Sequence, residues 1–299
     1  MRYFLSLLLA INLYALTTEA DLLYKKTLRS LSQLLRELDM ALGESNDTAI
    51  KQRFSIRTSI GAISESRKGT KFRFNIRANL TLPRAQKRLY LFLSDYKRSE
   101  DIDENTQKTI SDSIKNSSFL LGIQYLTKHN LRYRAGIKLK NSSLDPFVAA
   151  IWEDTAYIGD NSWIYFGDRL FYYAVNKTDN TLFASLQRRI GKKSVLSFEN
   201  SYRFEQKPLK EHQFTHTLAS YVSLGKYKTL VPKLQFFFNQ NSRQGYRLNY
   251  ILSGAQYESR FWRRWLFYQL SLYAVFRNEY DFRPGIRTAV SIGITFEQN

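Results

Sequence analysis

From Arg53 to the end of the chain, apolar and polar residues alternate with a period of two. In KFRFNIRANLTL, Phe72, Phe74, Ile76, Ala78 and Leu80 fall on one face, and Arg73, Asn75, Arg77 and Asn79 on the other. In LRYRAGIKLK, Leu131, Tyr133, Ala135, Ile137 and Leu139 oppose Arg132, Arg134, Lys138 and Lys140. The closing stretch GIRTAVSIGITFEQN repeats the pattern, with Ile286, Thr288, Val290, Ile292, Ile294 and Phe296 on its apolar face. Strict alternation is the mark of a strand with two unlike faces. These runs reach about ten residues, longer than the ~5–6 of a typical soluble strand and matched to the ~9–11 that a tilted strand needs to cross a bilayer. The pattern predicts about fourteen strands. They start near residues 53, 70, 88, 118, 131, 146, 161, 180, 194, 212, 229, 244, 264 and 285. Alternation is weakest across 146–175, which leaves twelve strands open.

The first fifty residues read differently. Residues 1–20 combine Arg2, an apolar run from Phe4 to Leu16 and a small-residue site at Thr18-Glu19-Ala20. That is the form of a secretory signal peptide cut after Ala20, since the run is too short for a helical span. Over 21–42, Tyr24, Leu28, Leu31, Leu35, Leu38 and Leu42 recur at steps of four and three, a heptad seam on a helix. This helix, 21–45, can plug or pack on the rest of the molecule, join copies in a homo-oligomer, or lie at a membrane surface. The expected organisation is thus a signal peptide (1–20), a periplasmic helix (21–45) and a transmembrane barrel (46–299).

The connections support that organisation. With the helix in the periplasm, the turns on its side are short: 83–87, 128–130, 159–161, 191–193 and 225–229. The one long connector, 96–117, falls outside. Within it, Asp101, Asp103, Asn105 and Asp112 echo the spacing of a calcium loop. Thr106 stands where that loop turns on glycine, and a solvated acidic loop is the better reading, so no metal or other cofactor is expected.

The end of the chain adds a resemblance. Ser291, Gly293, Ile294 and Phe296 resemble the C-terminal signal of bacterial outer-membrane β-barrel proteins: a polar residue, a glycine, then alternating apolar positions ending in an aromatic. The three residues that follow, Glu297-Gln298-Asn299, depart from it. The resemblance implies an all-β, antiparallel transmembrane barrel in a Gram-negative outer membrane. It also implies lipid around the barrel and the barrel-assembly machinery as a partner. A final strand of this kind must pair with the first, because an open edge in lipid leaves backbone groups unsatisfied. A soluble β-sandwich also alternates, but its apolar faces meet in a core. Aromatic residues make up 15% of the chain, and rings suit the headgroup level. Candidate belts are Phe261, Trp262, Trp265, Phe267 and Tyr268 on the periplasmic side, and Phe171, Tyr172 and Tyr173 on the outer side.

Charge changes the picture of the lumen. The net charge is +19, with no cysteine for disulfides or thiolate chemistry. With the polar face turned inward, Arg73, Lys138, Arg203, Arg247, Arg277 and Arg287 form a basic ring toward the outer mouth, and Arg57, Arg77, Arg132 and Arg134 lie deeper. Glu153 or Asp154, with Asp168 and Glu199, would oppose them. Rings of cations favour anions, so the reading is a channel for passive diffusion of small solutes, with anion preference. The competing reading pairs these charges internally and fills the lumen. An enzyme is not expected; the alternative of that kind is an outer-membrane hydrolase, which needs a nucleophile within hydrogen-bond reach of a base. The histidines are His129, His212 and His216. His216 and Ser220 share a face but lie about 13 Å apart at ~3.3 Å per strand residue. Thr217 points the other way, and only an adjacent strand, at Asn200, offers His216 a partner. No nucleic-acid partner is expected for an exported chain.

Overall fold

The computed structural model describes residues 19–34, 36–37, 40, 54–81, 89–95, 119–127, 130–140, 143–206, 210–241 and 244–298. A helix, α1, covers 19–34. Fourteen strands follow: β1 (Phe54–Glu65), β2 (Gly69–Thr81), β3 (Leu89–Asp95), β4 (Phe119–Leu126), β5 (Leu131–Lys140), β6 (Ser143–Tyr157), β7 (Ser162–Tyr173), β8 (Lys177–Ile190), β9 (Ser194–Glu205), β10 (Glu211–Gly225), β11 (Lys228–Asn241), β12 (Gln244–Arg260), β13 (Leu266–Arg277) and β14 (Pro284–Gln298). Residues 1–18, the acidic loop 99–112 and the seam residues Leu35, Leu38 and Leu42 lie outside the described residues.

Each strand pairs antiparallel with its chain neighbours, and β1 pairs with β14, so the sheet is a closed barrel of fourteen strands. The twelve-strand alternative is set aside: β6, β7 and β8 form three full ladders through the weakly alternating region. Closure is register-perfect from Phe54↔Gln298 to Glu65↔Arg287. It satisfies the backbone groups that an open sheet would expose to hydrocarbon.

Two rims result. The near rim carries Phe54 and Gln298, and the far rim carries the opposite strand ends. Connections at the far rim are also short, at 66–68, 141–142, 174–176 and 242–243, so the expected difference between rims reduces to the connector between β3 and β4.

Alternation decides which side chains meet the surroundings. The outer face holds Ile60, Phe72, Leu121, Ile123, Tyr133, Ile137, Leu182, Leu218, Leu270, Leu272, Ile286, Val290 and Ile292, all exposed. An apolar outward band on a closed barrel is the design that hydrocarbon requires. The inner face is not uniformly polar. Phe92, Leu120, Phe147, Ala149 and Tyr173 form one buried apolar patch, and Phe237, Tyr250, Leu252 and Tyr273 another. Both lie on inward-facing positions of the ladders. Phe171, Tyr173 and Phe267 are therefore lumen-wall residues and not parts of an aromatic belt, while Tyr172 and Trp262 do face outward or lie exposed at the rim.

Glycine makes room for rings on this inner wall. A β-carbon on Gly293 would meet the Thr58 carbonyl and the edge of the Phe267 ring, with Cε1 at 2.7 Å. One on Gly254 would meet Tyr273, with Cδ1 at 2.8 Å. Each ring lies across a glycine on the adjacent strand, which covers backbone that would otherwise lack a side-chain neighbour.

Candidate functional site: the lumen wall

All ten basic residues predicted to line the lumen occupy inward-facing register positions. They do not form one free ring. Toward the far rim, Arg277 makes a two-pronged ion pair with Glu65, its Nη2 donating to Oε2 at 3.0 Å, and both are buried. Arg203 forks onto Asp179 at 2.9 and 2.5 Å, with Glu205 at 4.0 Å. Lys138 is buried opposite Asp145 in the ladder and lies 4.7 Å from the centre of the Tyr173 ring. Asp145 is also the anchor of the turn between β7 and β8: it accepts from the Val175 N–H at 2.7 Å and the Asn176 Nδ2 at 2.5 Å. Arg247 is exposed near the far end of β12.

The deeper set divides in the same way. Arg57 lies 3.8 Å over the Phe267 ring and pairs with Glu258 at 2.9 Å. Arg132 and Arg169 converge on Glu153, Arg169 at 2.7 Å. Arg134 instead donates to Gln124 Oε1 at 2.8 Å and covers the Phe92 ring at 4.6 Å. Lys233, which alternation did not single out, faces inward and covers Tyr273 at 5.2 Å. Among the described residues, Arg73, Arg77, Arg134, Lys233 and Arg287 form no ion pair. The wall is thus a mixture: carboxylates neutralise some cations, aromatic faces support others, and a remainder keeps unneutralised positive charge. A cation over a ring face is attracted by the ring's quadrupole and keeps its charge available.

The acidic residues expected opposite the basic ring separate. Glu153 and Glu199 face inward. Asp154 and Asp168 face outward, a correction to the sequence expectation. β7, SWIYFGDRLFYY, has aromatic and polar residues on both faces, so its own pattern does not select a face. The ladders do: Asp168 sits opposite Trp152 and Leu182, both outward, while Arg169 sits opposite Ile151 and Thr181. His216 is outward too, and its Nδ1 lies 2.6 Å from Asn200 Oδ1. His212 bonds the Tyr202 hydroxyl at 2.8 Å.

At the near rim the helix meets the barrel. The Tyr24 ring stacks between Trp265 and Phe296, at 4.8 and 5.0 Å between centres. Its hydroxyl donates to the Thr295 carbonyl at 3.3 Å, and Asp21 pairs with Arg263 at 2.9 Å. Burial, and then the nearby Glu297 carboxylate, push the Tyr24 hydroxyl above its ordinary pKa. Of the resemblance residues, Phe296 and Ile294 face outward, and Gly293 and Ser291 inward.

No family model matches the chain, and no curated protein matches it. Several solved structures are similar in architecture. The KdgM porin in complex with disordered oligogalacturonate is 8% identical, with 80% of this chain and 98% of that one covered and a TM-score of 0.39. OmpT, an outer membrane protein of Vibrio cholerae, is 10% identical over 84% of this chain and 100% of that one, with a TM-score of 0.42. A bacterial polysaccharide outer membrane secretin is 10% identical over 85% and 100%, with a TM-score of 0.48.

The class follows from the chain's own geometry. A sheet closed on itself, with an apolar outer face and a polar and aromatic inner one, is a transmembrane β-barrel. A closed barrel of this design is of the outer-membrane type.

Proposed function

We propose that this barrel is a passive diffusion channel for small solutes that favours anions. The observation that carries the reading is a set of inward cations without a carboxylate partner among the described residues, Arg73, Arg77, Arg134, Lys233 and Arg287, with Arg247 at the far end of β12. A narrow passage with low-dielectric walls focuses the field of such groups and raises the local concentration of anions. Fourteen strands stand between the ~8 whose interior side chains fill a barrel and the ~16–18 that leave a wide aqueous channel. Single-channel conductance of the refolded mature protein in a planar bilayer, under a potassium chloride gradient, tests this. Open steps with a chloride-favouring reversal potential support it, and a cation-favouring potential rejects the selectivity.

A second reading has its own observation. Phe92, Phe147, Phe171 and Tyr173 project inward together, and Tyr173 is fully buried. Folded protein that passes no current would favour a filled, structural or surface-interaction barrel. The helix bears on both readings. Deleting 21–45 should open the pore if the helix is a plug, and should reduce the mass in detergent if it joins copies.

A further inference from the structure

The outer wall of β7–β10 carries groups that hydrocarbon cannot satisfy. Asp168 is the seventh of twelve residues in β7, Asn200 the seventh of twelve in β9, and His216 the sixth of fifteen in β10. All three lie well inside their strands and face outward, with Asn180, Tyr202 and His212 beside them. They line a shallow depression of about 540 Å³, walled by Trp152, Phe166, Leu182 and Phe214. Exposed Leu170, Leu186, Phe198 and Leu218 surround it, so it sits within the apolar band. Elsewhere the described outward positions inside the strands are apolar, aromatic, small or hydroxyl-bearing. The exceptions are Asp154 and Arg188 toward the near rim, Gln240 toward the far rim and Asn249 at the irregularity in β12. An ionisable residue within the membrane is costly unless it is partnered, and so marks a site.

The internal bonds of this cluster leave a balanced remainder. Asn180 Nδ2 donates to Asp168 Oδ1 at 2.6 Å, which leaves Asp168 Oδ2 without a donor. An amide oxygen only accepts, so His216 donates from Nδ1 to Asn200 Oδ1 at 2.6 Å. That leaves His216 Nε2, the Asn200 amide N–H groups and the Asn180 carbonyl facing outward unmatched. The patch therefore presents donors and acceptors together, with an acid at one side, on β7, and an imidazole at the other, on β10. A surface of this kind complements itself.

We propose that the β7–β10 wall is the interface through which two copies of this chain associate in the membrane. A two-fold axis along the membrane normal, passing near β8 and β9, keeps both barrels in the same orientation and lays β7 of one copy beside β10 of the other. Asp168 then approaches the imidazole side of the second copy's patch, and the amides exchange donors and acceptors. An acyl chain offers neither. Interhelical polar contacts act in the same way in helical membrane proteins, where the alternative is an unsatisfied group in lipid. In an isologous interface the same patch serves both sides.

The chain contains no cysteine, so one introduced thiol is a unique reporter. Ala184 is exposed on β8 at the centre of the patch, between Phe166 and Asn200 in the ladders. In outer membranes of expressing cells, copper-catalysed oxidation of the Ala184→Cys protein should give a disulfide-linked dimer. The Leu272→Cys protein, altered on exposed β13, should stay monomeric. Adding Asp168→Leu, Asn200→Leu and His216→Leu to Ala184→Cys should abolish the dimer. Heat-modifiable migration on a gel shows that each variant is folded. The proposal is overturned if Ala184→Cys gives no dimer, if Leu272→Cys cross-links equally, if the dimer survives the triple replacement, or if the thiol joins a different protein.

Discussion

Two stretches of the outer wall share the same strand geometry and present opposite surfaces. On β13, β14, β1 and β2 the outward residues are mostly apolar, among them Leu270, Leu272, Ile286, Val290, Ile292, Ile60 and Phe72, broken only by hydroxyl-bearing residues such as Thr58, Ser64 and Thr288. On β7–β10 the same kind of position holds Asp168, Asn180, Asn200 and His216. Inside the barrel both stretches mix charge and rings. The seam encloses the Glu65–Arg277 pair and the column of Arg57, Phe267 and Gly293, and β7–β9 present Phe171, Tyr173 and Phe183 beside the Arg203–Asp179 pair. The comparison teaches that one alternation rule permits two kinds of wall. Where the outer face carries no carboxylate, imidazole or amide inside its strands, lipid alone suits it, and where it carries them, the wall calls for a partner of its own kind.

Replacing Gly293 by leucine strikes the seam hardest. The new side chain has no space between the Thr58 carbonyl and the Phe267 ring, so β14 cannot seat against β1 and β13. The expected outcome is loss of the folded, heat-modifiable species. An equivalent replacement of Ala184, which is exposed on β8, should leave it intact.

Next in size is Glu65→Leu, which leaves Arg277 without its two-pronged partner. Removing one member of a buried pair typically costs about 3–5 kcal/mol. Urea unfolding in lipid vesicles should show a loss of that order. Glu199→Leu on β9, an exposed carboxylate, should shift the midpoint little.

Lysine scanning sharpens the comparison directly. Leu272→Lys places a charge on the predominantly apolar wall, where lysine at mid-bilayer costs about 2–4 kcal/mol. Leu182→Lys, opposite Asp168 in the ladder, gains a carboxylate neighbour. It should cost about 1 kcal/mol less in the same unfolding measurement.

The smallest effect belongs to Tyr24→Ala. Two aromatic stacks are lost, each worth about 0.5–1.5 kcal/mol beyond area burial. Barrel unfolding should barely change. Release of the helix should instead appear as faster hydrogen exchange over 19–34.

The barrel was legible in the chain because its signal is repetitive. Fourteen alternating runs, each long enough to cross a bilayer, leave few alternatives, and the closing pair β1–β14 follows from the intolerance of lipid for open edges. What alternation could not show was the fate of each inward charge. Whether Arg203 is neutralised depends on Asp179 across the ladder, a matter of register and not of pattern. The faces of Asp168 and Phe171 were hidden for a related reason. In β7 both faces hold aromatic and polar residues, so only pairing with β6 and β8 distinguishes them. The inward aromatics were missed because rings suit both a headgroup belt and a lumen wall. A signal was present at Phe267: Gly293, inward on the next strand, is the residue over which such a ring lies.

The Tyr24 sandwich has a temporal meaning. Its two outer slices, Trp265 and Phe296, come from the turn before β13 and from the end of β14. They stand side by side only after the last hairpin has zipped. The helix, which precedes every strand in the chain, thus waits for the last strand before it can dock, and its docking signals completion of the barrel. A spectroscopic probe on Trp265 would read that signal as the final tick of assembly, separate from insertion of the strands themselves.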